Sequence, residues 1–389
     1  MKKLLLITTL CGTLLPALEL ESKSMIRLAH IDYDYKSETN TNATALGGVL
    51  GLEAKSDYGI TLGVAGYISQ RLRPSKSERL NSDYLKSNGD SYIYLGELYL
   101  DYKYRDFSMR IGRQELLNPL LDGDDLRMHP NTFEAVELTY NLDDRALFSG
   151  GYAYRWSGRD AEFVGESKER FRKMDDENSK GVFYLGLSQK HTENLESAIW
   201  LYSADKMYDM FHSDIGYTIE LPYDSSIKLL AEYVAMSERA KSGIDGVVYG
   251  VGAELSMGVF DFGAYYNHSS NRDEKTMSSG FGGMPYYVTM EELVIDGLND
   301  VRATQLRAGT DLSIILLDGF YLTLLYGQMN SKPLDVKMRE YDAIITADLA
   351  DNIELELNYA RVVDKNHNYI LDEFNSSYNR FLARVTYRF

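Results

Sequence analysis

The chain has 389 residues, and 58 acidic against 41 basic side chains give it a formal net charge of −17. Phosphate binding needs an excess of Lys and Arg, so this charge argues against a nucleic-acid partner. A single cysteine, Cys11, excludes a disulfide framework. The 31 tyrosines are typical of membrane-interface belts, where one end of a side chain is apolar and the other is wet.

The chain opens with the pattern of a secretory signal peptide. Two lysines precede an apolar stretch from Leu4 to Leu15, and Pro16-Ala17 follow. This stretch is too short to span a bilayer comfortably and has the order of a cleavable signal. Residues 1–17 are therefore predicted to be removed, with cleavage near Ala17, and 18–389 to form one domain, because no Gly/Ser/Pro linker divides them.

Period-two alternation dominates the rest of the chain. In Tyr92–Tyr104 the even positions are apolar or aromatic, whereas the odd positions include Glu97, Asp101 and Lys103. No apolar run is long enough for a membrane helix, and a secreted chain without one can cross a membrane only as a closed barrel. The pattern predicts an all-β fold, a transmembrane antiparallel β-barrel of about 18 strands.

The connectors between the predicted strands alternate in length. Long ones, such as 69–91, 114–132, 157–180 and 269–304, alternate with short ones such as 104–106 and 256–258. Long outer loops and short periplasmic turns are what an outer-membrane barrel shows. Because 16 to 18 strands leave an aqueous channel, an open pore is expected.

Charged side chains of both signs fall on the face predicted to line the lumen. The predicted basic wall consists of Arg27, Arg110, Arg155, Arg307, Arg380 and Arg384. The carboxylates predicted to share the interior include Glu97, Asp101, Glu137, Glu232, Asp311 and Glu356. Such charges either orient solutes and set ion preference, because a narrow bore focuses their field, or pair with one another and solvate the lumen.

The connector 114–132 differs from the polar second and fourth loops. It carries two Leu-Leu pairs, which begin at Leu116 and Leu120, and two prolines. A surface loop has no reason to hold such residues, so the segment is predicted to fold into the barrel and narrow the bore. Its charged residues would then stand at the constriction, namely Asp122, Asp124, Asp125 and Arg127.

The stretch GRQELLNPLLDGDDLRMHPNTFEAVEL resembles the corresponding segment of the OprD-like outer-membrane porins, particularly those of the ε-proteobacterial branch. The resemblance implies a selective or semi-selective channel with a basic ladder on one wall and an acidic constriction opposite. It also implies small carboxylate-bearing solutes, including amino acids. The function expected is passive diffusion of small polar or charged solutes, such as amino acids, carboxylates and ions, across the outer membrane of a Gram-negative bacterium.

The last predicted strand ends on Phe389, with apolar residues alternating before it. This ending is similar to the C-terminal signature of bacterial outer-membrane proteins and is interpreted as an assembly signal. The expected partners are therefore the barrel-assembly machinery, outer-membrane lipid and lipopolysaccharide, besides the small solutes. The chain is expected to be a monomer or a homotrimer, without a cofactor.

Two other functions stay open from the sequence. A barrel enzyme similar to a phospholipase would use His268, which has Ser269 and Ser270 beside it, and a non-conducting structural barrel would have a filled interior. Residues 364–373 faintly resemble a Ca²⁺ loop but lack its glycine. The six histidines show no metal-ligand spacing, so no metal site is predicted.

Overall fold

The computed structural model describes residues 18–72, 79–125, 127–161, 170–175, 179–313, 315, 318–369 and 375–389, so the predicted signal peptide lies outside the described residues. Within them no helix is long and apolar enough to cross a membrane. The described chain contains twenty β-strands: β1 (Glu19–Ser22), β2 (Met25–Tyr35), β3 (Thr41–Lys55), β4 (Ile60–Arg71), β5 (Tyr92–Tyr104), β6 (Phe107–Gln114), β7 (Thr132–Asp143), β8 (Ala146–Ser157), β9 (Arg172–Lys173), β10 (Val182–Lys190), β11 (Leu195–Ala204), β12 (Tyr208–Leu221), β13 (Ser225–Glu238), β14 (Gly246–Met257), β15 (Phe260–Asn271), β16 (Val301–Asp311), β17 (Phe320–Ser331), β18 (Val336–Ala350), β19 (Ile353–Asp364) and β20 (Tyr378–Arg388).

Eighteen of these twenty strands close into one antiparallel ring. β20 pairs with β2, from Met25 opposite Arg388 to Tyr35 opposite Tyr378, and each other ring strand pairs with the next. We call the end of the barrel with the short turns its lower end and the end with the long loops its upper end. The two strands outside the ring are short: β1 pairs with the lower end of β3, and β9 pairs with the upper end of β8. The predicted fold class, an antiparallel barrel of about 18 strands, is confirmed.

The alternation in the sequence explains the ring. In β4, Leu62 and Val64 are exposed on the outside, whereas Ala65 and Tyr67 are buried inside. Aromatic side chains mark two levels of the outer surface, as expected at the two membrane interfaces. The lower belt includes Tyr104, Tyr140, Tyr217, Phe260 and Tyr387, and the upper belt includes Tyr152, Tyr249, Tyr266, Tyr341 and Tyr359.

The apolar core lies inside the outer half of the ring, where loops fold into the lumen. The β6–β7 loop (115–131) buries Leu120 and Leu121 completely. The β15–β16 loop (272–300) buries Phe281, Val288 and Ile295 against the same cluster. This second inward loop was not predicted. The connector between β4 and β5 also reaches inward, through Tyr84 and Leu85.

Candidate functional site

Three of the predicted lumen arginines lie together on the inward face, where β2 meets β20. Thr386 stands opposite Arg27 in the ladder, and Arg384 stands opposite Ala29, so Arg27 and Arg384 are diagonal neighbours. Arg380 lies two inward positions higher on β20, beyond Leu382, and is fully buried. We call Arg27, Arg380 and Arg384 the arginine wall.

The β6–β7 loop is bonded directly to the arginine wall. Arg27 donates two hydrogen bonds to the Asp125 carboxylate, at 2.7 Å from Nη1 and 2.9 Å from Nη2. Arg384 donates to the Asp125 carbonyl oxygen at 2.9 Å and pairs with Glu356. The resemblance implied an acidic constriction opposite a basic ladder. Here, by contrast, the acidic loop contacts the arginines and neutralises part of their charge.

Arg380 holds the second inward loop. Its guanidinium pairs with Glu292 and, at 2.9 Å, with Glu291, both from the β15–β16 loop. The loop is also held by its backbone, because the Glu340 carboxylate accepts the N–H groups of Glu292 at 2.9 Å and Leu293 at 2.8 Å. Such paired, hydrogen-bonded charges are the form in which a protein tolerates burial.

Arg127 faces the outer loops rather than a free bore. Its Nε donates to Asp83 at 3.0 Å, and Arg159 donates to the other oxygen of the same carboxylate at 3.1 Å. Asp83 belongs to the β4–β5 connector, so one carboxylate links three loops. Beside it, Met128 packs with Tyr84 in a buried apolar cluster. This linkage fixes the tip of the β6–β7 loop.

The remaining predicted constriction residues, Asp122 and Asp124, are half-buried on the same loop. Burial raises the pKa of Asp122. Burial, and then the neighbouring Asp160 carboxylate, raise the pKa of Asp124 to about 8. Asp124 is therefore largely protonated at neutral pH, and the loop carries less negative charge than its sequence suggests.

The two inward loops contact each other inside the barrel. The Phe281 N–H donates to the Leu120 carbonyl at 2.8 Å, and the Asp122 N–H donates to the Phe281 carbonyl at 3.1 Å. The Phe281 ring meets Trp156 edge-on at 5.2 Å between ring centroids. The apolar content of the β15–β16 loop is the signal that could have revealed it, since seven of its buried side chains are Met277, Phe281, Tyr286, Val288, Met290, Leu293 and Ile295.

Below the loops, two more of the predicted lumen arginines are also paired. Arg110 lies 3.6 Å from the Asp101 carboxylate and stacks over the Tyr99 ring at 4.4 Å. Arg307 lies 3.6 Å from Asp261. Both therefore line the lumen near the periplasmic end without contributing an isolated positive charge.

A run of inward carboxylates has no such compensation. Asp214, Glu232 and Glu254 lie on the consecutive strands β12, β13 and β14, and we call them the acidic wall. Within the described residues none of them has a Lys or Arg within ion-pair distance; Glu232 accepts the Tyr287 N–H at 3.0 Å, and Glu254 accepts the Tyr265 hydroxyl at 2.7 Å. Asp214 stands directly opposite Glu232, an arrangement of like charges that costs stability. Of the three, only Glu232 was predicted.

Arg155 was predicted to line the lumen, but it lies on the outward face. A β-bulge at Tyr154 adds one residue to β8, so Arg155 stands opposite Glu134 and the buried Trp156 takes the inward position. Outward-facing Glu134 also pairs with Arg113 at 3.1 Å. A single inserted residue reverses the alternation, which is why simple period-two counting failed here.

His268, the residue named for a hydrolase, lies on the outward face, and the neighbouring Ser269 is buried inward and accepts the Val301 N–H at 2.7 Å. Among the residues that the structure describes, no group of three or more His, Cys, Asp or Glu side chains has the arrangement of a metal site. The Ca²⁺-like segment 364–373 lies partly outside the described residues.

Comparison with known proteins identifies the class of this barrel. A profile of the family described as "outer membrane porin, OprD family" matches residues 23–328. OpdQ from Pseudomonas aeruginosa has a TM-score of 0.78 at 16% identity, covering 95% of this chain and 97% of that one. OccAB4 from Acinetobacter baumannii gives 0.78 at 16%, covering 95% and 98%. P. aeruginosa OpdK with vanillate gives 0.75 at 16%, covering 94% and 98%. Curated protein sequences contain no match.

The profile covers well over half of the chain, and the structural relatives share its closed barrel. The resemblance seen in the sequence is thereby confirmed, together with the outer membrane of a Gram-negative bacterium as the location. The chain forms a channel for small solutes. It belongs to the OprD family of outer-membrane porins.

Proposed function

We propose that this porin is a semi-selective channel that passes small cationic and zwitterionic solutes, such as amino acids, more readily than anionic ones of the same size. The observation that carries the proposal is the contrast between the two walls. Each arginine of the arginine wall is bonded to a carboxylate, whereas no Lys or Arg of the described chain lies within ion-pair distance of the acidic wall. His212 lies 3.8 Å from Asp214, and Lys228, which stands opposite Glu254, pairs instead with Glu196. The charge left over in the lumen is therefore negative.

Uncompensated charge in a narrow bore acts more strongly than in bulk water, because the low-dielectric walls focus its field. Cations are concentrated there and anions are repelled. A paired arginine has little such effect, since its field is cancelled within a few ångströms. Small carboxylate-bearing solutes, which the sequence led us to expect, should therefore still permeate, but more slowly than amines.

We further propose that the β6–β7 and β15–β16 loops together form the constriction, with Asp122, Asp124, Asp125 and Arg127 on its outer-facing part. Asp125 and Arg127 fix the loop, through Arg27 and Asp83 respectively. Asp122 and Asp124 stand beside the contact between the two loops. In this arrangement the loops set the width, and the acidic wall sets the sign of selectivity.

The proposal includes the finer properties expected from the sequence. Residues 1–17 would be cleaved on export, Phe389 would be read by the barrel-assembly machinery, and outer-membrane lipid and lipopolysaccharide would surround a monomer or a homotrimer. Passage would be passive, without a catalytic step, a cofactor or a metal ion. A chemical change in a transported solute would contradict this part of the proposal.

Swelling of liposomes that contain the refolded mature protein tests the selectivity. Lysine, glutamine and glutamate have similar size, and we expect their rates to fall in that order. Asp214→Asn with Glu254→Gln should bring the three rates together. The matched control is Asp144→Asn with Glu193→Gln, which removes two exposed carboxylates at periplasmic turns and should leave the order unchanged. Faster entry of glutamate than lysine would overturn the proposal.

A further inference from the structure

Four cationic side chains share the outward face of β16, β18 and β19 near their outer ends. Arg302 and Lys337 flank Asn330 in one cross-strand row. Arg339 stands opposite Gln328 in the next row. Arg361 stands opposite the outward Tyr341 in a third. We call Arg302, Lys337, Arg339 and Arg361 the outer basic patch.

The outer basic patch is uncompensated, unlike two inward arginines on β16 and β20. In the described part of the chain none of its four members lies within ion-pair distance of a carboxylate, and Arg339 donates only to Gln328, at 3.3 Å. Inward-facing Arg307 and Arg380, by contrast, are both ion-paired. In a chain with a net charge of −17, four neighbouring free cations on the lipid side need an anionic partner.

The position of the patch defines where that partner lies. Beneath the first two rows and beside Arg361, the outward Tyr326 and Tyr341 rings contact each other at 5.2 Å, in the upper aromatic belt. Exposed Leu306 and Leu324 continue the apolar surface below them. The boundary between hydrocarbon and headgroups therefore runs just below the four cations.

We propose that the outer basic patch binds the phosphate groups of a lipid A-type glycolipid in the outer leaflet. Arginine offers paired donors that match phosphate oxygens, and cations near a membrane surface attract anionic headgroups. The acyl chains would cover Leu306 and Leu324. A groove beside the patch is lined by Ser270, Asn330 and Arg302 and also by Asp300 and Asp335, so it presents hydroxyl, amide and carboxylate groups that can hydrogen-bond sugars.

The test uses the full mature protein, refolded in non-ionic detergent, with diphosphoryl lipid A or its dephosphorylated form as the probe. Binding is measured by native mass spectrometry and by the heat-unfolding midpoint of the barrel. The patch variant is Arg302→Gln, Lys337→Gln, Arg339→Gln and Arg361→Gln. The matched control changes four cations near the periplasmic turns: Lys55→Gln, Lys103→Gln, Arg145→Gln and Lys190→Gln.

We expect the native protein and the control to bind diphosphoryl lipid A, and the patch variant to bind it at least about tenfold more weakly. Channel conductance should be the same in the native protein and the patch variant, because the patch faces away from the lumen, so this test is independent of the proposed selectivity. If the fourfold variant does not fold, Arg302→Gln with Arg361→Gln replaces it. Equal binding by the patch variant, or equal binding of the dephosphorylated probe by the native protein, would overturn the proposal.

Discussion

The arginine wall and the acidic wall differ in whether their charged side chains are ion-paired within the protein. The arginines of β2 and β20 hold loops: they bind Asp125, Glu291, Glu292 and Glu356, and they are almost inaccessible to solutes. On β12–β14, Glu232 also holds a loop, because it is buried and accepts the Tyr287 N–H, whereas Asp214 and Glu254 are only half-buried and form no ion pair with Lys or Arg in the described chain. Only Asp214 and Glu254 therefore leave charge for a passing solute.

The comparison teaches that charge position alone does not indicate selectivity. An arginine on the inward face of a strand is a candidate for solute binding only if it is not already paired with a carboxylate of the protein. In this porin the carboxylates come from loops that are distant in sequence: Asp125 lies 98 residues from Arg27 in the chain. Such pairings decide whether a basic residue acts on solutes or on the fold.

The largest effect is expected from Arg380→Gln, which would remove the structural role of the arginine wall. It would leave Glu291 and Glu292 without their cation, and breaking a buried pair costs about 3–5 kcal/mol. The urea-unfolding midpoint of the folded barrel should fall accordingly. The ratio of glutamate to neutral-sugar flux should change little, since the guanidinium is 0% exposed.

Arg388→Gln is the control for that change, because its pair with Glu354 is about half exposed and exposed pairs contribute at most about 1 kcal/mol. A selective loss of anion flux in Arg380→Gln, without loss of stability, would show that the arginine wall does act on solutes.

The second prediction concerns the contact between the two inward loops. A β-carbon on Gly283 would stand 2.3 Å from the Pro119 carbonyl oxygen, so Gly283→Ala must push the loops apart. We expect a cost of about 1–3 kcal/mol and a larger or noisier single-channel conductance. Gly66→Ala is the matched control, because the nearest atom to its β-carbon, the Leu50 carbonyl oxygen, lies at 4.0 Å. An unchanged conductance in Gly283→Ala would remove this contact from the constriction.

The fold could be predicted from the sequence because each strand carries its own signal. Alternation in segments such as Tyr92–Tyr104 and the long and short connectors specify the barrel without any distant contact. The site was harder to predict. The bulge at Tyr154 reverses the face of Arg155, and the ion pairs of Arg27 and Arg380 depend on loops whose path inside the barrel is set by tertiary packing.

A smaller effect is expected from pH, through Asp124 in the β6–β7 loop. Its pKa, raised from 3.8 to about 8, means that the folded loop favours the protonated carboxyl. The free energy that favours the folded loop begins to fall above pH 3.8, where Asp124 ionises in the unfolded chain. The loss is complete above pH 8, where Asp124 is a carboxylate beside Asp160 in the folded loop as well. Raising the pH from 6 to 9 should therefore loosen the loop and increase cation preference.

The check is the reversal potential at both pH values, with Asp124→Asn as the variant that cannot ionise. The pH dependence should become smaller in that variant. If Asp124→Asn keeps the full dependence, another group is responsible and the loop charge has no part in selectivity.

The central claim is that the acidic wall dominates the charge that solutes meet. The measurement that tests it most directly is the reversal potential of single channels of the refolded mature protein in a KCl gradient at neutral pH. We predict a potential with the sign of K⁺ preference, which shifts towards zero in Asp214→Asn with Glu254→Gln. A potential with the sign of Cl⁻ preference in the native protein would contradict the account, because it would mean that the arginine wall remains open to solutes.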